Sequence, residues 1–124
     1  HSNSRSVCNH LRNLTDEQFG AIVARGGLVG LNFHEGFVRE EGGSYSLDDL
    51  ALHVEHWLDL GGEDVIALGS DRDGSDIPAW LANCENQVSL HEQFCARLGE
   101  DITRKLFFDN ALRFFTTYER ARRG

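Results

Sequence analysis

The chain has 124 residues, 40% of them hydrophobic, and a formal net charge of −8. That length fits one domain able to bury a core, and no apolar run approaches the ~20 residues that span a bilayer. The acidic balance argues against a nucleic-acid partner, which would need a basic face to neutralise phosphates.

His1 opens the chain as a potential metal ligand with no strand before it, so the start is expected to be a cut through a larger protein. Thr15-Asp16-Glu17-Gln18 reads as a capping box, Thr15 being the N-cap and Gln18 standing three residues on. Phe19, Ile22 and Val23 follow at helical spacing, and Gly26-Gly27 stops the helix. Residues 28–33 read as a short strand buried on both faces, followed by a polar, Gly-rich loop over 34–45. Ser46 caps a second helix with Leu47, Leu50, Val54, Trp57 and Leu58 on one stripe, ended by Gly61-Gly62. Residues 65–68 form a second buried strand, and Gly69-Ser70-Asp71-Arg72-Asp73-Gly74 a polar turn. Three helices are predicted over about 88–98, 101–108 and 110–120, with Arg120, Arg122 and Arg123 complementing the dipole at the end of the last.

Short apolar strands alternating with amphipathic helices mean βα units and an α/β fold with a parallel sheet. Two strands are too few for such a sheet, because open edges and apolar faces remain. A (β/α)8 barrel takes about 250 residues, so further strands are expected outside these residues. Three cysteines, Cys8, Cys84 and Cys95, make no CxxC pair. Cys95 falls on an apolar helical face and is expected to be buried. A reducing compartment is the simpler reading, which favours the cytoplasm, with a disulfide between two of the three left open.

Parallel folds place their chemistry at the carboxyl ends of the strands. Asp71 and Asp73 lie just beyond the second strand, where a carboxylate can serve as general base or metal ligand, or simply build the turn. The segment is not an EF-hand, since Asp76 stands where the loop would require glycine. His34 follows the first strand directly and is a candidate pocket residue; His10 sits in the preceding loop. His53 and His56, three apart on one helix beside Asp48, Asp49, Glu55 and Asp59, fit surface or packing roles, and His91 a surface one. His1 could chelate as an amino terminus, ligate zinc through its ring, or be frayed.

The ordered motifs resemble the renal (membrane) dipeptidase family of metallopeptidases, with an amidohydrolase-like TIM barrel. The resemblance rests on His1-Ser2-Asn3-Ser4-Arg5, Leu11-Arg12-Asn13-Leu14-Thr15-Asp16-Glu17, Gly30-Leu31-Asn32-Phe33, His53-Val54-Glu55-His56 and Gly69-Ser70-Asp71-Arg72-Asp73-Gly74. The closing Asp109-Asn110-Ala111-Leu112-Arg113-Phe114-Phe115 agrees with it, so that it covers essentially residues 1–124 as the C-terminal portion of one barrel domain. It implies zinc-dependent dipeptide hydrolysis by the parent enzyme. His1 would be one ligand of a two-zinc centre, Arg12 would bind the free carboxylate of the dipeptide, and Asp71 would take the proton of a zinc-bridging water and pass it to the leaving amine. His53 and His56 would have no catalytic duty. Two departures stand out: Arg72 and His34 both occupy positions where relatives carry an aromatic, and His34 bears on substrate preference. The His-x-Asp of the first strand, the bridging glutamate and a further histidine have no counterpart here. One imidazole cannot hold zinc where three or four protein ligands are usual, so the isolated 124 residues are expected to be inactive. The expected partners are the dipeptide and the N-terminal half of the barrel, with a homodimer left open and no membrane segment. The rival readings are a non-catalytic half-barrel module for assembly or binding, and a related amidohydrolase acting on another amide.

Overall fold

The computed structural model describes all residues, 1–124. Helix α1 (Asp16–Ala24) starts at the predicted capping box: Thr15 Oγ1 accepts from the Gln18 N–H at 3.2 Å, and the Gln18 side chain accepts from the Thr15 N–H at 2.9 Å. Gly26 leaves the helix in the left-handed region at φ 64°, which glycine adopts without a Cβ penalty. Strand β1 (Val29–Leu31) follows. The stretch predicted as loop contains a short helix, α2 (Glu35–Val38), whose Phe37 and Val38 are buried. Four residues with only two apolar positions give too little periodicity to see in sequence.

Helix α3 (Leu47–Asp59) begins with a second capping box, Ser46 with Asp49. It buries Leu50, Ala51, His53, Val54 and Trp57, and Leu47 and Leu58 flank them half-buried. Strand β2 (Ile66–Leu68) pairs in parallel with β1, Val29 opposite Ile66 and Leu31 opposite Leu68. Helix α4 (Asn86–Leu98) leads to α5 (Glu100–Arg104), a π turn (Lys105–Asp109) and α6 (Asn110–Arg123). The two helices predicted after residue 100 are therefore one unbroken rod with a π turn inside it. That turn directs the Asn110 amide at β2, where Nδ2 donates to the Glu63 and Ile66 carbonyls, each at 2.8 Å.

The core joins both strands to α1, α3, α4 and the π turn. At its centre Phe19 stacks on Trp57 with centroids 5.0 Å apart, and burying two such rings contributes roughly 1.5–3 kcal/mol each. Gly62 is required beside them, because a Cβ there would lie 2.3 Å from Phe19 Cζ. Phe108, Leu112, Phe115 and Tyr118 form an exposed apolar face on the last helices. The α/β class and the parallel pair agree with expectation. Cys95 is only half-buried, its sulfur 3.7 Å from His91 Nδ1, because the apolar face it extends turns outward there. All three cysteines are free.

Candidate functional site

His1 is exposed, yet it is not frayed. The Ser2 N–H donates to the Gly30 carbonyl at 2.9 Å, so the first residues run alongside β1, and on their other side Asn3 O accepts from the Leu14 N–H at 2.8 Å. Two glycines make room for this approach. A Cβ on Gly69 would stand 2.8 Å from His1 Cβ and 3.0 Å from Gly30 Cα; one on Gly30 would stand 2.9 Å from Gly69 Cα. Close passage of three backbones, rather than a turn, is what these glycines permit.

The carboxyl ends of β1 and β2 are locked together. The Gly69 N–H donates to Leu31 O at 3.0 Å, Phe33 N–H to Ser70 O at 3.2 Å, and Glu35 N–H to Asp76 O at 2.9 Å. Beyond β2 the chain turns through Asp71 (φ 62°) and Asp73 (φ 68°), both left-handed, a conformation that aspartate tolerates better than most residues. The turn-building reading of these aspartates is thus correct, and Asp71 is also aimed into a cleft. That cleft, of about 400 Å³, is lined by His1, Arg12, His34, Phe37, Asp71 and Asp76, with Gly74 and Ser75. His1, Arg12, His34 and Asp71, from four separate segments, line it together, whereas Asp73, the other candidate of the turn, does not.

Phe37, which sequence reasoning missed, is the platform. The Arg12 guanidinium lies over its ring at 5.4 Å, and His34 and His10 meet it edge-on at 4.6 and 4.7 Å. None of the ion pairs in the chain engages Arg12, so its charged fork is unpaired within the chain. His34 Nδ1 is buried with no hydrogen-bond partner in the protein. Asp71 Oδ2 receives Asn32 Nδ2 at 3.4 Å. Clefts of 430 and 540 Å³ lie elsewhere, one along Arg39, Glu40 and Asp49 and the other along Glu63, Glu100 and Asp101, but neither touches a strand end.

Arg72, beside Asp71, turns away from the cleft. It packs over Phe33 at 5.3 Å and donates to Leu81 O and Gln87 Oε1, so the cation fastens the loop where an aromatic would only pack. The loop is further held by Trp80 Nε1 donating to Tyr45 O, and by the buried Tyr45 hydroxyl donating to Phe33 O; burial raises the Tyr45 pKa. His53 is wholly buried. Its Nδ1 accepts from the Ser4 N–H at 3.1 Å, so Nε2 carries the proton and donates to Val38 O at 3.0 Å. Desolvation lowers its pKa to about 4 despite the Val38 bond, and it is a packing residue. His56 binds Asp16 at 2.9 Å, and this bond holds the Asp16 carboxyl below its ordinary value.

No group of three or more His, Cys, Asp or Glu side chains converges to hold a metal ion. The cleft is lined by two imidazoles, His1 and His34, and two carboxylates, Asp71 and Asp76, but no three of them converge. A zinc site takes three or four protein ligands, so these residues alone do not fit a metal centre.

Parallel βα units with a polar cleft at the strand ends define an α/β protein of the kind that places hydrolytic or ligand-binding chemistry in its loops. The model of the membrane dipeptidase family, peptidase family M19, matches residues 1–124, and the chain belongs to that family. It is similar to an uncharacterised protein from the pqqA 5′ region of Klebsiella pneumoniae, with 43% identity over 86 residues, or 67% of this chain and 32% of that protein. Among solved structures it resembles the metallopeptidase dipeptidase AC, with 36% identity and a TM-score of 0.86, covering 92% of this chain and 35% of the other. A metallopeptidase from Rhodobacter sphaeroides, liganded with a phosphinate mimic of the dipeptide L-Ala-D-Ala, gives the same identity and TM-score over 92% of this chain and 34% of that one. The chain spans about a third of the length of these relatives.

Proposed function

We propose that this chain is the C-terminal part of a (β/α)8 barrel and supplies the carboxylate-binding and proton-transfer groups of a zinc-dependent dipeptidase. The observation that carries the reading is the meeting of His1, Arg12, His34 and Asp71 in one cleft at the carboxyl ends of two parallel strands. Arg12, unpaired and braced on Phe37, binds the free carboxylate of a dipeptide through its planar fork. His34 lies beside it and shapes the pocket for the C-terminal residue. Asp71 accepts the proton of the attacking water as the new C–O bond forms, and delivers it to the amine nitrogen as the C–N bond of the resulting tetrahedral adduct breaks. His1 would offer one imidazole to a two-zinc centre completed by ligands from the rest of the parent enzyme, and zinc bound there would supply Lewis-acid polarisation of the scissile carbonyl. The exposed face of Phe108, Leu112 and Phe115 supports a larger barrel, since it is apolar surface that further helices would cover.

A related amidohydrolase acting on other amides would have no use for a free guanidinium in its cleft, so the position of Arg12 favours a substrate with a carboxylate. The reading of a non-catalytic half-barrel draws on the incomplete donor set and applies to the 124 residues by themselves. The test is hydrolysis by the full-length, zinc-loaded protein. Turnover of free dipeptides, abolished when the C-terminal carboxylate is amidated, is expected. Failure to cleave any dipeptide, or equal cleavage of the amides, would overturn the reading. The 124 residues supplied with zinc alone should show no turnover.

A further inference from the structure

We propose that Asn32 is the positioning residue for the Asp71 carboxylate, and that it ties this carboxylate to the segments bearing His1 and Arg12. The role assigned to Asp71 rests on the dipeptidase reading; the tether itself rests on geometry.

Asn32 is fully buried immediately after β1. Its backbone is held on both sides by one side chain: its N–H donates to Asn3 Oδ1 at 2.8 Å, and its carbonyl accepts from Asn3 Nδ2 at 2.8 Å. Asn3 in turn donates its own N–H to Asn13 Oδ1 at 3.2 Å. Asn13 Nδ2 donates to Cys8 O at 3.0 Å and to Phe37 O at 2.9 Å. Three buried asparagines therefore link the strand carrying Asn32, the segment two residues after His1, and the residue next to Arg12. The last of them also grips the backbone of the Phe37 platform.

The side chain of Asn32 has a fixed orientation. Its Oδ1 accepts from the His34 N–H at 2.8 Å, which leaves Nδ2 turned to Asp71 Oδ2. The flipped amide would set NH2 against an N–H and a carbonyl oxygen against a carboxylate, so both contacts would become repulsive. Asp71 Oδ1 lies against Gly74, where a Cβ would stand 2.6 Å from it. One carboxylate oxygen thus faces a donor, and the other lies against a backbone that leaves it room. An amide suits this task because it donates to the anion and holds no charge of its own. A base that must collect and return a proton within one turnover depends on such placement.

The test uses the full-length, metal-loaded protein with Asn32→Leu, which keeps the volume, and Asn32→Asp, which keeps the acceptor for His34 and replaces the donor with a like charge. Each should lower kcat by about 10- to 100-fold, the usual effect of removing a group that orients a functional side chain, while KM stays near that of the parent protein. In an Asp71→Asn background neither should cost further activity. A loss confined to KM, or full additivity with Asp71→Asn, overturns the proposal. A second measurement does not need turnover. The side-chain amide resonance of Asn32 in the 15N spectrum should move when Asp71 becomes Asn, and an unmoved resonance also overturns the tether. A resonance that moves in a protein cleaving no dipeptide supports the tether and sinks the dipeptidase reading alone.

Discussion

His53 should make the protein acid-sensitive, by an amount the structure allows to be worked out. The imidazole is buried in α3, with both nitrogens bonded, and its folded pKa lies at about 4 against an ordinary 6.5. Burial is the main cause. The repulsion of His56 works in the same direction, whereas the Val38 carbonyl and Asp49 oppose it. Between those two values the unfolded chain binds a proton that the folded chain refuses. Stability is therefore fully present above the unfolded value and drains away as pH falls towards the folded one. At 1.36 kcal/mol for each pH unit, the loss between about pH 7 and about pH 4.5 is roughly 2–3 kcal/mol. Carboxylates titrate over part of the same range, so the parent must be compared with His53→Gln, which cannot ionise. Urea unfolding of both at the two pH values gives a double difference that isolates the histidine. The glutamine variant should start less stable and lose less on acidification, by that same 2–3 kcal/mol. Parallel decline of the two proteins would refute the account of a neutral, desolvated His53.

Three other perturbations bear on the site. Arg12→Ala should raise KM for a dipeptide by about 10- to 100-fold with little change in kcat, since a charge-assisted bond to carboxylate is worth roughly 1.5–3 kcal/mol; steady-state kinetics on free and amidated dipeptides reads this. Asp71→Asn should depress kcat by about 10²–10⁴-fold while a dipeptide analogue binds as before, which calorimetry can follow. Gly69→Ala would drive a methyl against His1 and Gly30; it should cost about 1–3 kcal/mol of stability and reduce zinc content, measured by thermal unfolding and elemental analysis.

Much of the framework is legible in local chemistry. The capping boxes at Thr15 and Ser46, the left-handed glycine at position 26 and the apolar stripe of α3 all act within a few residues, so periodicity and capping rules recover them. Helix α2 escapes because one turn has no period. The π turn escapes because its neighbours on either side are ordinary helix. Cys95 lies on the correct stripe but near the end of its cover. At the site, the positions of Asp71 and His34 just beyond strands mark them as candidates, whereas Arg12 is nominated only by family resemblance. Asn3, Asn13, Asn32 and Phe37 give no local signal. Their partners lie up to 39 residues away in sequence, and asparagine in a loop reads as turn chemistry until the fold brings the partners together.

The π turn at Lys105–Asp109 has a consequence for how this segment can vary in length. Each residue of a helix rotates the chain by about 100°, so the turn works as a phase offset between the helix that follows α4 and the one that ends the chain. Removing a single residue within it would restore regular winding and leave the downstream phase unchanged, whereas removing one from the regular turns on either side would swing everything downstream by that angle. The Asn110 amide would leave the Glu63 and Ile66 carbonyls, and an apolar face would rotate into their place. A single-residue deletion should therefore be better tolerated at the π turn and in the glycine-bearing stretch before Ser46 than in the regular turns on either side of the π turn.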